Sequence, residues 1–504
     1  MRLSVAVTTL AAAATVAGTA AADGGYYGGA LGARAAGRAG AFTARADDPT
    51  AVHYNPAGLA TLGGTMIMVG NRVSYNGSSY TRAPTLDWGA VPPDGTPSTV
   101  TFSKVSNQTP WQAAEPLILA ASNLGLRDFG FGAGVFASPG ASRVNFPSPA
   151  NISDPPGSAG QRYMMLGREA IILNYTAAAA WKFRDLFGIG VALQAISVPR
   201  LDYSLMVDGT TMQQNVNPVR SPLDMVASTS GSDWFTFNAI VGAWLRPVPS
   251  LQFGAAGQVV PNSITTNSTL KVTPLDQPDP AMPTNVVVLT RDDLPANDVT
   301  VVLPLPLSAR VGARYRGLAG MREVFDVELD VEYETWSRVN EFTVATRGLN
   351  ASYMGSDNPL GDIRVPKAWR DTIAVKLGGD VAVIPDRLAL RAGGFYETAV
   401  APSSHANVDF AGGKMFGGTI GASYLFGAWE VALGYQFRRQ STVTVSEDAG
   451  RVYQQVPATA CPPPYTSTLC HPAFTNRPPP VVNAGTYDAT FHHLSLAAIY
   501  RFGR

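Results

Sequence analysis

The side chains able to do chemistry are few, and their spacing does not suit catalysis. Five histidines, His53, His405, His471, His492 and His493, form no HExxH pattern, and the chain has neither a GxSxG nucleophile turn nor a Walker loop. A lipase-type site needs Ser and His on one surface. Only His493 with Ser495 offers that crudely, and two interfacial histidines are the simpler reading. Asp326, Glu328, Asp330, Glu332 and Glu334 alternate along one segment that lacks the loop and glycine of a calcium-binding hand. No metal, no cofactor and no enzymatic activity is expected. Cys461 and Cys470 stand nine positions apart in a Pro-rich segment and could close a local loop disulfide.

What remains is ionic and apolar chemistry arranged with period 2. The acids from Asp326 to Glu334 share one face, while Phe325, Val327, Leu329, Val331 and Tyr333 share the other. The same alternation recurs at Ile67/Val69/Val73/Tyr75, Ile189/Val191/Leu193, Phe235/Phe237/Val241/Leu245 and Leu305/Leu307/Val311/Tyr315. It continues through Ile373/Val375/Leu377, Ile420/Ala422/Tyr424/Phe426, Trp429/Val431/Leu433/Tyr435/Phe437 and Leu494/Leu496/Ala498/Tyr500/Phe502. Repetition of apolar faces opposite small and polar ones fits lipid outside and a polar lumen inside.

Composition agrees. The 504 residues are 46% hydrophobic and only 15% charged, thin cover for so much soluble surface. Lys plus Arg (37) balances Asp plus Glu (37), so no basic field is available for nucleic acid. Segments of about ten residues begin near 65, 116, 129, 168, 188, 234, 251, 303, 323, 371, 387, 416, 429 and 490, which predicts an all-β transmembrane antiparallel barrel of about 14 strands. Short turns alternate with long polar or Pro-rich loops at about 76–114, 139–162, 205–232, 262–298, 338–368, 398–414 and 446–486. Tyr75, Tyr315, Tyr333, Tyr424 and Tyr500 sit where interfacial girdles belong.

Residues 1–22 read as a secretory signal peptide, with Arg2, an Ala/Val/Leu-rich run and a small-residue end at Ala20-Ala21-Ala22. Residues 64–504 form the barrel. Residues 23–63 break its pattern, with too few large apolar residues for a core of their own. They are expected to form a small hatch packed inside the lumen, with Arg34, Arg38 and Arg45 meeting acidic inner faces of strands. Pro56 restricts Asn55 to a turn, and Gly58 is available for a positive backbone angle.

Several segments carry a resemblance. Gly32-Ala33-Arg34, Gly40-Ala41, the run from Asp48 through Asn55-Pro56-Ala57-Gly58 to Ala60, Gly130 to Phe136 with Pro139-Gly140, Asp330 to Ser337, Trp369 to Thr372 and Leu390 to Gly393 resemble the FadL/TodX family of long-chain fatty acid and hydrocarbon transporters. The likeness spans nearly the whole mature chain. It implies passive outer-membrane transport of hydrophobic small molecules through a barrel closed by an N-terminal hatch. Asn55, Pro56, Ala57 and Gly58 would form the hatch turn. It also implies a kinked third strand that opens the wall to the bilayer, a role for Gly130, Gly132, Gly134, Pro139 and Gly140. Packing of a Gly-rich strand against a crowded hatch would produce much the same composition.

A fatty acid also asks for a cation. Inward parity nominates Arg310, Arg314, Lys376 and Arg391. The first two lie across a hairpin from Asp326, Glu328 and Asp330, so an internal ion-pair ladder is the preferred reading for them. Lys376 and Arg391 have no such obvious partner and are the better carboxylate candidates. Phe146, Ile152, Leu205, Met206, Met212 and Val226 in the long loops could form a hydrophobic entrance or pin the loops to themselves. Partners would be hydrophobic molecules, outer-membrane lipid and, during biogenesis, the barrel-assembly machinery, with the chain a monomer. The alternatives are a structural or adhesive barrel whose hatch stays shut, and a general porin.

Overall fold

The computed structural model describes residues 29–87, 98–112, 115–138, 143–149, 154, 157–208, 219, 224–275, 287–353, 356–454 and 480–502. The expected signal peptide, Pro139, Gly140, Ile152, Met212, Cys461 and Cys470 lie outside the described residues.

Fourteen antiparallel strands close into a barrel. They are β1 Thr65–Asn76, β2 Glu115–Ser122, β3 Phe129–Ala137, β4 Met165–Phe183, β5 Phe187–Asp208, β6 Asp224–Val248 and β7 Leu251–Gln258. The second half comprises β8 Ser308–Ala319, β9 Arg322–Glu334, β10 Thr372–Ile384, β11 Leu388–Glu397, β12 Met415–Phe426, β13 Trp429–Gln440 and β14 Thr490–Phe502. Each strand pairs with its sequence neighbours, and β1 pairs with β14 from Thr65↔Phe502 to Asn76↔Phe491, which leaves no barrel edge unpaired. The pleat sorts side chains as the alternation predicts. In β9 the residues from Asp326 to Glu334 at even positions are buried, while Phe325, Val327, Leu329 and Tyr333 are exposed. Ile67, Val69, Ile189, Leu193, Val311, Leu377 and Leu496 likewise face outward. No helix among the described residues is long and apolar enough to cross a membrane.

Six connections at one rim are only two to six residues long, and the β1 start and β14 end share that rim. The opposite rim carries the long connections, and here the sequence reading needs correction. The segments read as polar loops contain strands. Ser263–Pro274 pairs with the upper part of β6, Asp298–Pro304 pairs with it in turn, and Glu341–Ala345 and Ile363–Pro366 continue the same sheet. Leu305 and Leu307 precede β8, which starts at Ser308, and Leu305 is buried instead of lipid-facing. The reason is physical: these strands place a few apolar residues, Ile264, Leu270, Val299, Val301, Phe342 and Val344, in the core over the barrel mouth among many polar ones, so their average composition resembles that of a loop.

Residues 29–63 are almost wholly buried. They form α1 Ala33–Ala36, α2 Ala51–Tyr54 and a 3-10 turn Pro56–Thr61, and they touch the inner faces of strands on every side. Small residues permit this. A Cβ on Gly434 would meet the Ala33 carbonyl oxygen at 2.4 Å, and one on Gly378 would meet that of Arg38 at 2.2 Å.

Candidate functional site

The N-terminal segment is tied to the wall through β9. All five N–H donors of the Arg38 guanidinium are engaged: Nε donates to the Ala41 carbonyl (2.7 Å), Nη1 to Asp326 (3.2 Å) and Asp380 (2.8 Å), and Nη2 to Asp326 (3.0 Å) and Glu328 (3.1 Å). Arg45 adds Asp326 at 3.0 Å and Asp380 at 3.1 Å. Backbone donors complete the set, with Phe42 and Thr43 N–H donating to Asp330 (2.9 Å each) and Ala44 N–H to Glu328 (2.7 Å). The acidic ladder is therefore a docking strip for this segment. Arg34 pairs with Asp47 (3.0 Å), Asp48 (3.3 Å) and Glu430 (3.4 Å).

Asn55 fixes the turn. Its amide donates to the carbonyls of Thr43 and Ala243 (2.9 Å each), and its Oδ1 accepts from Ala57 N–H at 3.2 Å. Trp244 Nε1 donates to the Ala57 carbonyl at 3.0 Å. Gly58 does not take a positive φ; it lies within the 3-10 turn, where a Cβ would meet the Ala46 carbonyl oxygen at 2.3 Å. Close packing, not conformational freedom, requires glycine there.

On β3 the glycines divide. A Cβ on Gly130 would meet the Leu59 carbonyl oxygen at 2.1 Å and one on Gly132 would meet Val52 at 2.7 Å, so both make room for the N-terminal segment. Gly134 differs, with φ +153° and its missing Cβ aimed at the Ile118 carbonyl oxygen. On the outer face beside it lies a hollow lined by Ile118, Val135, Tyr175, Leu193 and Phe237.

The four candidate lumen cations are all internally paired. Arg314 pairs with Asp326 at 2.5 Å and with Glu323, and Arg310 with Glu332 at 2.8 Å. Lys376 meets Glu332 at 2.6 Å and Arg391 meets Asp380 at 2.8 Å, so the expectation that these two lack partners is corrected. Asp380 faces Arg391 directly across β10 and β11, a register invisible from either segment alone. His493 bonds to Ser74 (2.8 Å), not to Ser495.

Three cavities among the described residues lie above or against the segment. The outermost, bounded by the extended β5–β6 hairpin and the sheet above the barrel and partly open to solvent, is lined by Ile172, Val198, Leu201, Leu205, Ile264, Val301, Phe342, Val344 and Val365. Its few polar residues are Arg168, Tyr203 and Thr229. A second cavity is bounded by Arg72, Ser74, Arg438 and His493 from inner strand faces and by Phe146. The third, polar, rests directly on the N-terminal segment between His53, Tyr54, Gln194, Arg310, Glu332 and Lys376. His53 stays neutral there: burial, reinforced by Arg310, pushes its pKa down to about 3.

Of the expected entrance residues, Leu205 lines the apolar cavity. Met206 points away into a separate core with Phe146, against which Val226 packs. The sequence reading missed Arg168, Lys367, Phe342 and Phe410. Their signal was faint, since each sits in a different segment and only strand pairing brings them together.

A sealed antiparallel barrel with lipid-facing aliphatics, an internal N-terminal segment and a stack of cavities defines an outer-membrane channel protein. The family model for outer membrane protein transport proteins (OMPP1/FadL/TodX) matches residues 12–461, and the chain belongs to this family of outer-membrane transporters of hydrophobic compounds. Among solved structures, a Pseudomonas aeruginosa FadL homologue shares the fold with TM-score 0.69 at 15% identity, over 95% of this chain and 100% of that one. The toluene transporter TodX of P. putida gives TM-score 0.60 at 14% identity, over 94% and 99%. TbuX of Ralstonia pickettii, also a toluene transporter, gives 0.57 at 16%, over 94% and 99%. No curated protein matches the sequence.

Proposed function

We propose that this chain carries long-chain fatty acids, or molecules of like shape and polarity, passively across the outer membrane. The observation that carries the reading is the apolar cavity held above the polar, ion-paired space that rests on the N-terminal segment. Such a pocket retains an aliphatic chain by removing it from water, at about 0.8 kcal/mol per CH₂. Residues 29–63 act as the hatch, docked on β9 and turned at Asn55. Release is lateral, beside Gly134, where the outer hollow meets the wall. An occupied lumen argues against a general porin, and a lined cavity argues against a purely structural barrel.

The test is uptake of labelled oleate by proteoliposomes. Leu201→Glu together with Ile264→Asp, placed in the apolar cavity, should reduce uptake at least ten-fold without affecting barrel assembly. Wild-type uptake equal to that of protein-free vesicles would overturn the reading.

A further inference from the structure

The apolar cavity and the lumen-side cavity below it share two wall residues, Arg168 and Phe410. Phe410 is held from three sides: the Arg168 guanidinium lies 3.8 Å over its ring, and the Trp369 and Phe342 rings stand edge-on at 5.5 and 6.3 Å. Its neighbour Asp409 also lines the lumen-side cavity. That carboxylate is bound by Lys367 Nζ and by Tyr203 Oη at 3.4 Å, and it accepts the Phe410 N–H at 2.7 Å. Both partners of the Lys367–Asp409 pair have side-chain exposures of 0%. The Lys367 ammonium sits 4.5 Å from the Phe342 ring centroid, one aromatic ring behind the apolar cavity.

We propose that Asp409 is a stand-in for the ligand's carboxylate and that the segment carrying it and Phe410 is a gate opened by carboxylate exchange. This deepens the transport reading and rests on it: the substrates favoured are long-chain monocarboxylates over neutral hydrocarbons. An ammonium this buried cannot release its anion to water, because an unpaired charge in such a site is strongly unfavourable. Another carboxylate can take the place of Asp409 with its hydrogen bonds conserved, from Lys367 and from the Tyr203 hydroxyl. The apolar cavity delivers one, tail seated among aliphatics and head against Tyr203 and Phe410. Exchange releases the Asp409 carboxylate into the lumen-side cavity that it already lines, where water can solvate it, and Phe410 moves with it because the two are consecutive. The wall between the cavities then opens. An alkane or alcohol of equal length fills the same cavity but cannot compensate Lys367. Burial already holds the Lys367 pKa below its ordinary value even with Asp409 present, so the ammonium depends on an anion beside it.

The experiment measures binding of labelled palmitate and hexadecanol to the full chain in detergent by equilibrium dialysis. Asp409→Asn removes the competing charge at almost unchanged volume and should tighten palmitate binding about ten-fold while leaving hexadecanol unchanged. Lys367→Met should abolish the preference for palmitate. Maleimide labelling at Ala411→Cys, over the parent chain, should accelerate with palmitate and not with hexadecanol. Equal shifts for both ligands in Asp409→Asn, or no shift for either, would show a merely structural pair and overturn the gate, leaving transport intact. Failure of the wild type to bind either ligand would overturn the transport reading and the gate with it.

Discussion

Replacing Arg38 by Ala tests the attachment of residues 29–63, the proposed hatch, to the wall. The side chain is fully buried, and its five donors are spent on one carbonyl and three carboxylates, Asp326, Glu328 and Asp380. Removing one partner of a buried pair costs about 3–5 kcal/mol, because the remaining charges stay desolvated and uncompensated. Arg45 still reaches Asp326 and Asp380, but nothing described replaces the guanidinium contact to Glu328, so the lower half of that range is expected. A loss of about 3 kcal/mol multiplies the undocked population of the hatch by roughly a hundred. Arg38→Lys keeps the charge but loses the forked geometry and should fall between. Hydrogen exchange of residues 29–63 in detergent reads the local opening directly, and planar-bilayer conductance reads its effect on the lumen. Both should rise in Arg38→Ala, while the barrel strands keep their protection. Unchanged exchange in residues 29–63 would refute the claim that the acidic strip of β9 holds the hatch.

Gly130→Val should be more disruptive than Gly257→Val on β7, because its side chain would be driven into the Leu59 carbonyl whereas Gly257 has no neighbour closer than 3.2 Å; limited proteolysis within residues 29–63 should detect the displaced hatch only in the first. His53 has a folded-state pKa near 3 against about 6.5 unfolded, so the folded chain binds fewer protons between those values and hatch stability falls as pH drops below about 6.5, by up to ~1.4 kcal/mol per unit. His53→Gln should flatten that dependence in exchange measurements between pH 7 and 4, and an identical slope would assign the acid lability to the carboxylates alone.

The barrel was legible because lipid imposes one rule on every strand. Val327 and Glu328 are adjacent and of opposite parity, and parity alone sorts them to the correct faces. Arg38 and Arg45 were legible for a related reason: a segment rich in small residues and arginine, beside a strand of inward acids, has one electrostatic solution. The lumen cations were harder, since Arg391 looks unattached until the β10–β11 register puts Asp380 opposite it. The apolar cavity was the least legible. Ile172, Ile264, Val301 and Phe342 come from four separated segments, two of which look polar on average. Their convergence depends on long-range pairing that no local window contains. Lys367, one positive charge in a loop, carries no local mark of the two aromatic rings and the carboxylate that bury it.

The length of β6 has a consequence for where capture happens. Its lipid-facing residues run from Val248 up to Trp234, after which residues 224–233 continue beyond the bilayer. At about 3.3 Å per residue and a tilt near 40°, that continuation stands roughly 25 Å proud of the hydrocarbon. The apolar cavity is thus lifted clear of the hydrocarbon, since Leu201, Leu205 and Thr229 of its lining stand on this projecting part of the hairpin. Under the proposed function, a hydrophobic solute meets that cavity before it reaches the bilayer.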